Sequence, residues 1–95
     1  LILLARKWRD GDVSRLAGGD LRAALARVKA KTAVVAIEQD AFFPLADIEA
    51  EQAIAPGSRL HRLSSDWGHL ALFGTDPAWN GAIDAILGEL LATPA

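Results

Sequence analysis

Two residues of complementary acid–base character, Asp40 and His69, each follow a run that reads as a β-strand. An aspartate beside an imidazole can hold the ring in one tautomer and stabilise its cation. The imidazole can then serve as general base toward a hydroxyl nucleophile. By itself, an aspartate after a strand is ordinarily a turn or cap residue, and a histidine in a loop a surface group. Asp66, three positions before His69, is a rival carboxylate. His61 lies between Leu60 and Arg62 and reads as structural. The absence of cysteine removes thiol nucleophiles and thiolate metal sites, and two histidines are too few for a multi-histidine centre. Gly18-Gly19 lacks the lysine and the preceding strand that a phosphate loop needs.

The elements around this pair must bring it together. Leu1, Leu4, Ala5 and Trp8 form one helical stripe, and the segment from Gly11 to Gly19 reads as a loop with a short turn at residues 14–17. Asp20 is placed to cap a helix whose stripe is Leu21, Ala24, Leu25 and Val28, with Arg27, Lys29 and Lys31 at its end. Thr32 to Ile37 is apolar without alternation, the pattern of a strand covered on both faces of a parallel sheet. Pro44 starts a helix over residues 45–54, which Pro56-Gly57 stops, and residues 59–63 form a second strand. Residues 64–74 are expected to be a loop. Asp76-Pro77 opens the last helix, with the stripe Ile83, Ile86, Leu87, Leu90 and Leu91.

Strands alternating with helices give an α/β fold with parallel strands, whose sites form at the carboxyl ends of the strands. Asp40 and His69 both fall there. Two strands do not complete the sheet that residues 32–37 require, and an apolar strand edge invites association. The strand is therefore expected to be covered by the rest of a parent chain or by another copy. The chain has no methionine and begins at Leu1, which leads to the same expectation of a longer polypeptide.

Composition narrows the class further. The chain has 95 residues, is 52% hydrophobic and 23% charged, and carries a net charge of −2, which disfavours a nucleic-acid partner. No apolar run reaches the ~18 residues of a membrane span. A cytoplasmic protein without a membrane partner is the expectation.

The segment from Lys31 to Pro44, ending Asp40-Ala41-Phe42-Phe43-Pro44, resembles the acid-bearing strand and turn of α/β-hydrolases, and more narrowly of the homoserine O-acetyltransferase branch. Pro56-Gly57-Ser58 and Trp67-Gly68-His69-Leu70-Ala71-Leu72-Phe73 resemble that branch's last strand and histidine loop. The likeness covers residues 20–92. It implies the C-terminal part of an α/β-hydrolase domain over residues 20–95, with residues 1–19 returning from a helical lid. It also implies that Asp40 is the acid and His69 the base of a serine triad. No Gly-x-Ser-x-Gly elbow surrounds Ser14, Ser58, Ser64 or Ser65, so the nucleophile is expected in another segment and this chain alone is expected to be inactive.

Phe42 and Phe43 are candidates for an acyl pocket, with core packing the alternative; Trp67 divides equally between the two roles. Asp47, Glu49 and Glu51 read as a solvated helix face. Leu70 stands where the acetyltransferases commonly carry an acid, which implies a less polar acceptor than homoserine, or water. The implied function is acyl transfer or ester hydrolysis. No bound cofactor or metal is implied, and acetyl-CoA or another acyl donor enters as substrate. The alternative is a non-catalytic α/β interaction module completed by a partner chain.

Overall fold

The computed structural model describes residues 1–94. It contains four α-helices, α1 (Ile2–Asp10), α2 (Leu21–Leu25), α3 (Leu45–Ala53) and α4 (Pro77–Ala92), and two strands, β1 (Thr32–Ile37) and β2 (Ser58–Leu63). Two 3-10 helices, at Val13–Ala17 and Gly68–Phe73, interrupt the loops. The strands pair in parallel from Thr32↔Ser58 to Ile37↔Leu63, with α3 as the crossover.

Local chemistry accounts for most boundaries. Asp20 caps α2 by accepting from the Ala23 amide at 3.0 Å. Asp76 caps α4, accepting from the amides of Ala78 and Trp79, and Pro77 takes the first turn, where its missing N–H is not needed. Pro44 is the N-cap of α3 rather than a first-turn residue, in an extended conformation with ψ 142°.

The pattern and the fold differ in four places. The α2 helix ends at Leu25, because the amides of Arg27 and Val28 bond three residues back and tighten into a turn, which leaves Val28 half exposed. Residues 64–74 are not all loop: six of them, Gly68–Phe73, wind into a 3-10 helix. In α4 the covered stripe is Trp79, Ile83, Ile86 and Leu90, while Leu87 and Leu91 remain exposed. Only Ala36 and Ile37 of β1 are buried, the other four residues being half-buried.

The core sits at the carboxyl end of the sheet, where Ile37, Ala71 and Trp79 meet Leu63 and Ile83. Among the described residues β1 is paired on one edge only. The accessible surface is 7059 Å² for a mass of 10.1 kDa. A self-contained folded monomer of that mass exposes about 5300 Å². Much of the excess is apolar: Ile2, Leu3, Trp8 and Leu16 are each more than 70% exposed. Among the described residues no helix is long and apolar enough to cross a membrane.

Candidate active site

Asp40 ends the turn that follows β1, its amide donating to the Ile37 carbonyl at 3.0 Å. The residue is 8% exposed and both carboxylate oxygens are engaged. Oδ1 accepts from the amides of Phe42 at 2.8 Å and Phe43 at 3.0 Å. Oδ2 faces Nδ1 of His69 at 2.9 Å. Burial pushes this carboxyl up. The hydrogen bonds from the Phe43 amide, the His69 ring and the Phe42 amide push it down by more, and it lies below the usual aspartate value. The carboxylate is thus held ionised, and its only ring contact is through one oxygen. With Nδ1–H donating to Asp40, the lone pair of Nε2 is the proton acceptor.

Aromatic side chains bracket the imidazole. The Phe42 ring centroid lies 4.8 Å from that of His69, and the Phe43 centroid 5.4 Å, both rings tilted. Phe42 is 75% exposed, so it is a wall of the site and not core. Phe43 also lines a cavity of about 190 Å³ between β1 and α4, with Asp40, Leu72 and Trp79. An open cleft of about 260 Å³ is lined by His69 itself, with Phe42, Trp67 and Leu70. Five of the sequence candidates, Asp40, Phe42, Phe43, Trp67 and Leu70, therefore surround the ring of the sixth, His69, or its cleft. Asp66 lines the same cleft, but the carboxylate that accepts from the ring is that of Asp40. His61 lies in a separate groove with Arg59 and Glu89. Glu49 is more than a solvated residue, since it pairs with Arg62 of β2 at 2.7 Å.

Three features escaped the sequence reading. Gln39 bonds to both residues that begin the histidine loop: Nε2 donates to Ser64 Oγ at 2.6 Å, and Oε1 accepts from the Ser65 amide at 2.8 Å. Ser65, only 4% exposed, donates its hydroxyl to Asp76 Oδ2 at 2.6 Å. Gly68 has φ +52°, and a Cβ there would lie 2.8 Å from the Gln39 carbonyl oxygen. The small polar residues of Gln39, Ser64 and Ser65 carry no periodic signal. Only the Gly68-His69 pair marks the tight turn in the sequence.

The four serines of the chain are engaged away from the ring. Ser14 donates to Asp12, Ser58 to the Ala55 carbonyl and Ser65 to Asp76, while Ser64 accepts from Gln39.

No family model matches the chain. It is 50% identical over its whole length to an ethyl acetate hydrolase of Pseudomonas veronii, covering 27% of that protein. It is 54% identical over 86 residues to a probable esterase of Corynebacterium glutamicum, covering 25% of it. A homoserine O-acetyltransferase of Clavibacter michiganensis subsp. michiganensis is 40% identical over 88 residues, with 21% of it covered. Among solved structures, an acetylester hydrolase from Corynebacterium glutamicum superposes with a TM-score of 0.87 at 52% identity, over 94% of this chain and 26% of that one. The acetyl esterase MekB gives a TM-score of 0.86 at 50% identity. The chain spans about a quarter of the length of the curated relatives it matches. The coarse expectation of a hydrolase-type α/β segment agrees with these likenesses.

Proposed function

We propose that this chain is the C-terminal part of an α/β-hydrolase-fold enzyme, in which Asp40 and His69 are the acid and base of a Ser–His–Asp triad that hydrolyses short-chain esters. The carrying observation is the 2.9 Å contact between Asp40 Oδ2 and His69 Nδ1, with Oδ1 held by two backbone amides. The serine and its oxyanion hole come from another segment of the polypeptide. This agrees with the engagement of the four serines here and with relatives about four times as long.

The chemistry follows from this arrangement. Nε2 takes the proton of the serine hydroxyl as its oxygen bonds to the ester carbonyl carbon. Asp40 stabilises the imidazolium so formed without taking its proton. The carbon–alkoxy bond then breaks, and Nε2–H gives its proton to the departing alcohol. Water attacks the acyl-enzyme while Nε2 accepts its proton, and the serine regains a proton as the carboxylic acid leaves. Phe42 and Phe43 lie against the ring that becomes cationic, an arrangement of the cation–π type.

Leu70 favours water or a weakly polar acceptor over homoserine. It is 52% exposed in the cleft beside His69, and a leucine has no charge to pair with a substrate ammonium. The esterase likenesses, at 50% and 54% identity, point the same way. The test is steady-state kinetics on the full-length polypeptide. Hydrolysis of short acetyl esters, abolished by His69→Ala, is the expected result. Acetyl-CoA-dependent acetylation of homoserine exceeding ester hydrolysis by orders of magnitude would overturn the hydrolase reading. Absence of either activity would favour the interaction module.

A further inference from the structure

Backbone pairing between the strands ends where the Glu38 amide donates to the Leu63 carbonyl at 2.8 Å. Beyond this point the two chains lead separately to Asp40 and to His69, and no regular ladder fixes their separation. The Gln39 carboxamide takes over. Its Oε1 must be the atom facing the Ser65 amide, since only an acceptor satisfies an N–H, and this orients Nε2 toward Ser64 Oγ. The backbone of the same residue forms a second contact, because its carbonyl oxygen lies where Gly68 admits no Cβ. Gln39 thus touches the histidine loop both at its start and one residue before the base. The start of the loop is also tied to the cap of α4, through Ser65 Oγ donating to Asp76.

We propose that Gln39 is a positioning residue: its carboxamide bridges the acid turn to the base loop and sets the Asp40–His69 hydrogen bond. This rests on the triad reading of the site. Gln39 is not a catalytic residue, because its polar atoms are spent on Ser64 and Ser65 and it acts through the neighbouring pair. Misplacement of a reacting group by about 1 Å costs as much as ~100-fold in rate. A bridge spanning the two loops is therefore expected to matter far more to kcat than its exposed position suggests.

The experiment uses the full-length polypeptide with Gln39→Met, which keeps the length and removes both hydrogen bonds. Gln39→Glu keeps the acceptor for the Ser65 amide and can accept from the Ser64 hydroxyl. Two readouts are taken: ester-hydrolysis kinetics, and the low-field proton resonance of the His69 Nδ1–H that its bond to Asp40 produces. Gln39→Met is expected to lower kcat roughly 10- to 100-fold with KM little changed, to broaden or remove the low-field resonance, and to add nothing in an Asp40→Asn background. Gln39→Glu recovers most of the loss.

An unchanged resonance in Gln39→Met overturns the proposal, and so does an equal loss of kcat on the Asp40→Asn background. A rise in KM with the resonance intact overturns it too, by assigning Gln39 to substrate contact. If Gln39→Met does not fold, Ser64→Ala removes one half of the bridge and is expected to show a smaller effect with the same signature; wild-type kcat and resonance in that variant overturn the proposal. Activity that survives His69→Ala would instead refute the triad reading, while the resonance still decides whether Gln39 sets the contact.

Discussion

The two ends of this chain use the same kinds of residue to opposite effect. In the N-terminal region, Leu1, Leu4 and Trp8 lie on one helical stripe, yet each is at least 51% exposed, and no residue of α1 is buried. At the carboxyl ends of the strands, few residues are fully buried, yet Asp40 is bonded to His69, Phe42 and Phe43 and Ser65 to Gln39 and Asp76, all at 2.6–3.0 Å. An apolar stripe states only that a surface needs cover. A bonded turn is complete within its own sequence. The site is consequently organised by the chain itself, while the apolar stripe of the first helix is left uncovered by residues 1–94.

The largest expected effect breaks the organised region at its centre. In the full-length polypeptide, Asp40→Asn preserves Oδ1 for the Phe42 and Phe43 amides, so the turn survives. Its new Nδ2–H faces Nδ1 of His69 and forces the ring proton onto Nε2, the nitrogen that accepts in the proposed triad. Activity is expected to fall by ~10⁴ in kcat with little change in the melting temperature. Retention of more than a tenth of wild-type kcat would remove Asp40 from the acid role.

Gly68→Ala attacks the same region through the backbone. The alanine has to adopt φ +52° and places its Cβ 2.8 Å from the rigid Gln39 carbonyl oxygen. Strain and overpacking together are expected to cost about 1–3 kcal/mol of stability. Displacement of His69 should also lower kcat. Thermal unfolding and kinetics measured together check this; Gly18→Ala shares the positive φ but has open space around its Cβ, and is the control for conformation alone.

Much of this division was legible in advance. The apolar run Thr32–Ile37, the caps Asp20 and Asp76, and the placement of Asp40 and His69 after neighbouring strands all follow from signals within a few residues. What was not legible depends on partners distant in sequence. Trp79 lies on the same helical face as Ile83, Ile86 and Leu90, but it is the deepest member because it packs on Ile37 and Ala71. Gln39 reaches Ser65 across 26 positions, and no local pattern announces such a contact. Leu87 and Leu91 fit the stripe of α4 and are nonetheless exposed, since among the described residues the sheet beneath that helix has two strands.

Acid tests the bonded region. The Asp40 carboxyl is raised by burial but lowered more by its hydrogen bonds. The Asp76 carboxyl is lowered by the Ser65 hydroxyl and the α4 amides, against a smaller opposing effect of desolvation. For an acid whose folded pKa is depressed, the stabilisation is complete above the unfolded value, about 3.9 for aspartate, and is lost as pH falls through the folded value. Stability of the full-length polypeptide is therefore expected to decline as pH falls below about 4. Asp76→Asn should flatten the part of that decline due to this group. Denaturant titrations at a series of pH values measure it; an unchanged acid slope in Asp76→Asn would show that the Ser65–Asp76 link contributes nothing.

The smallest effect on stability is expected at α1. Trp8 is 77% exposed and Leu4 51%, so in the 95-residue chain their replacement by serine removes little buried surface. Substitutions at such positions usually change stability by no more than about 0.5 kcal/mol. Association should respond more strongly, because a contiguous exposed apolar stripe is what drives one copy onto another. Leu4→Ser/Trp8→Ser is thus expected to leave the unfolding midpoint of the 95-residue chain unchanged while shifting its sedimentation toward smaller species. In the full-length polypeptide, the same pair should be clearly destabilising, since there the stripe is expected to be covered, and each large apolar side chain removed from a covered site costs about 2–5 kcal/mol. Equal, small effects in both contexts would show that the stripe is uncovered in the longer polypeptide as well, and that the difference between the two ends is intrinsic to the chain.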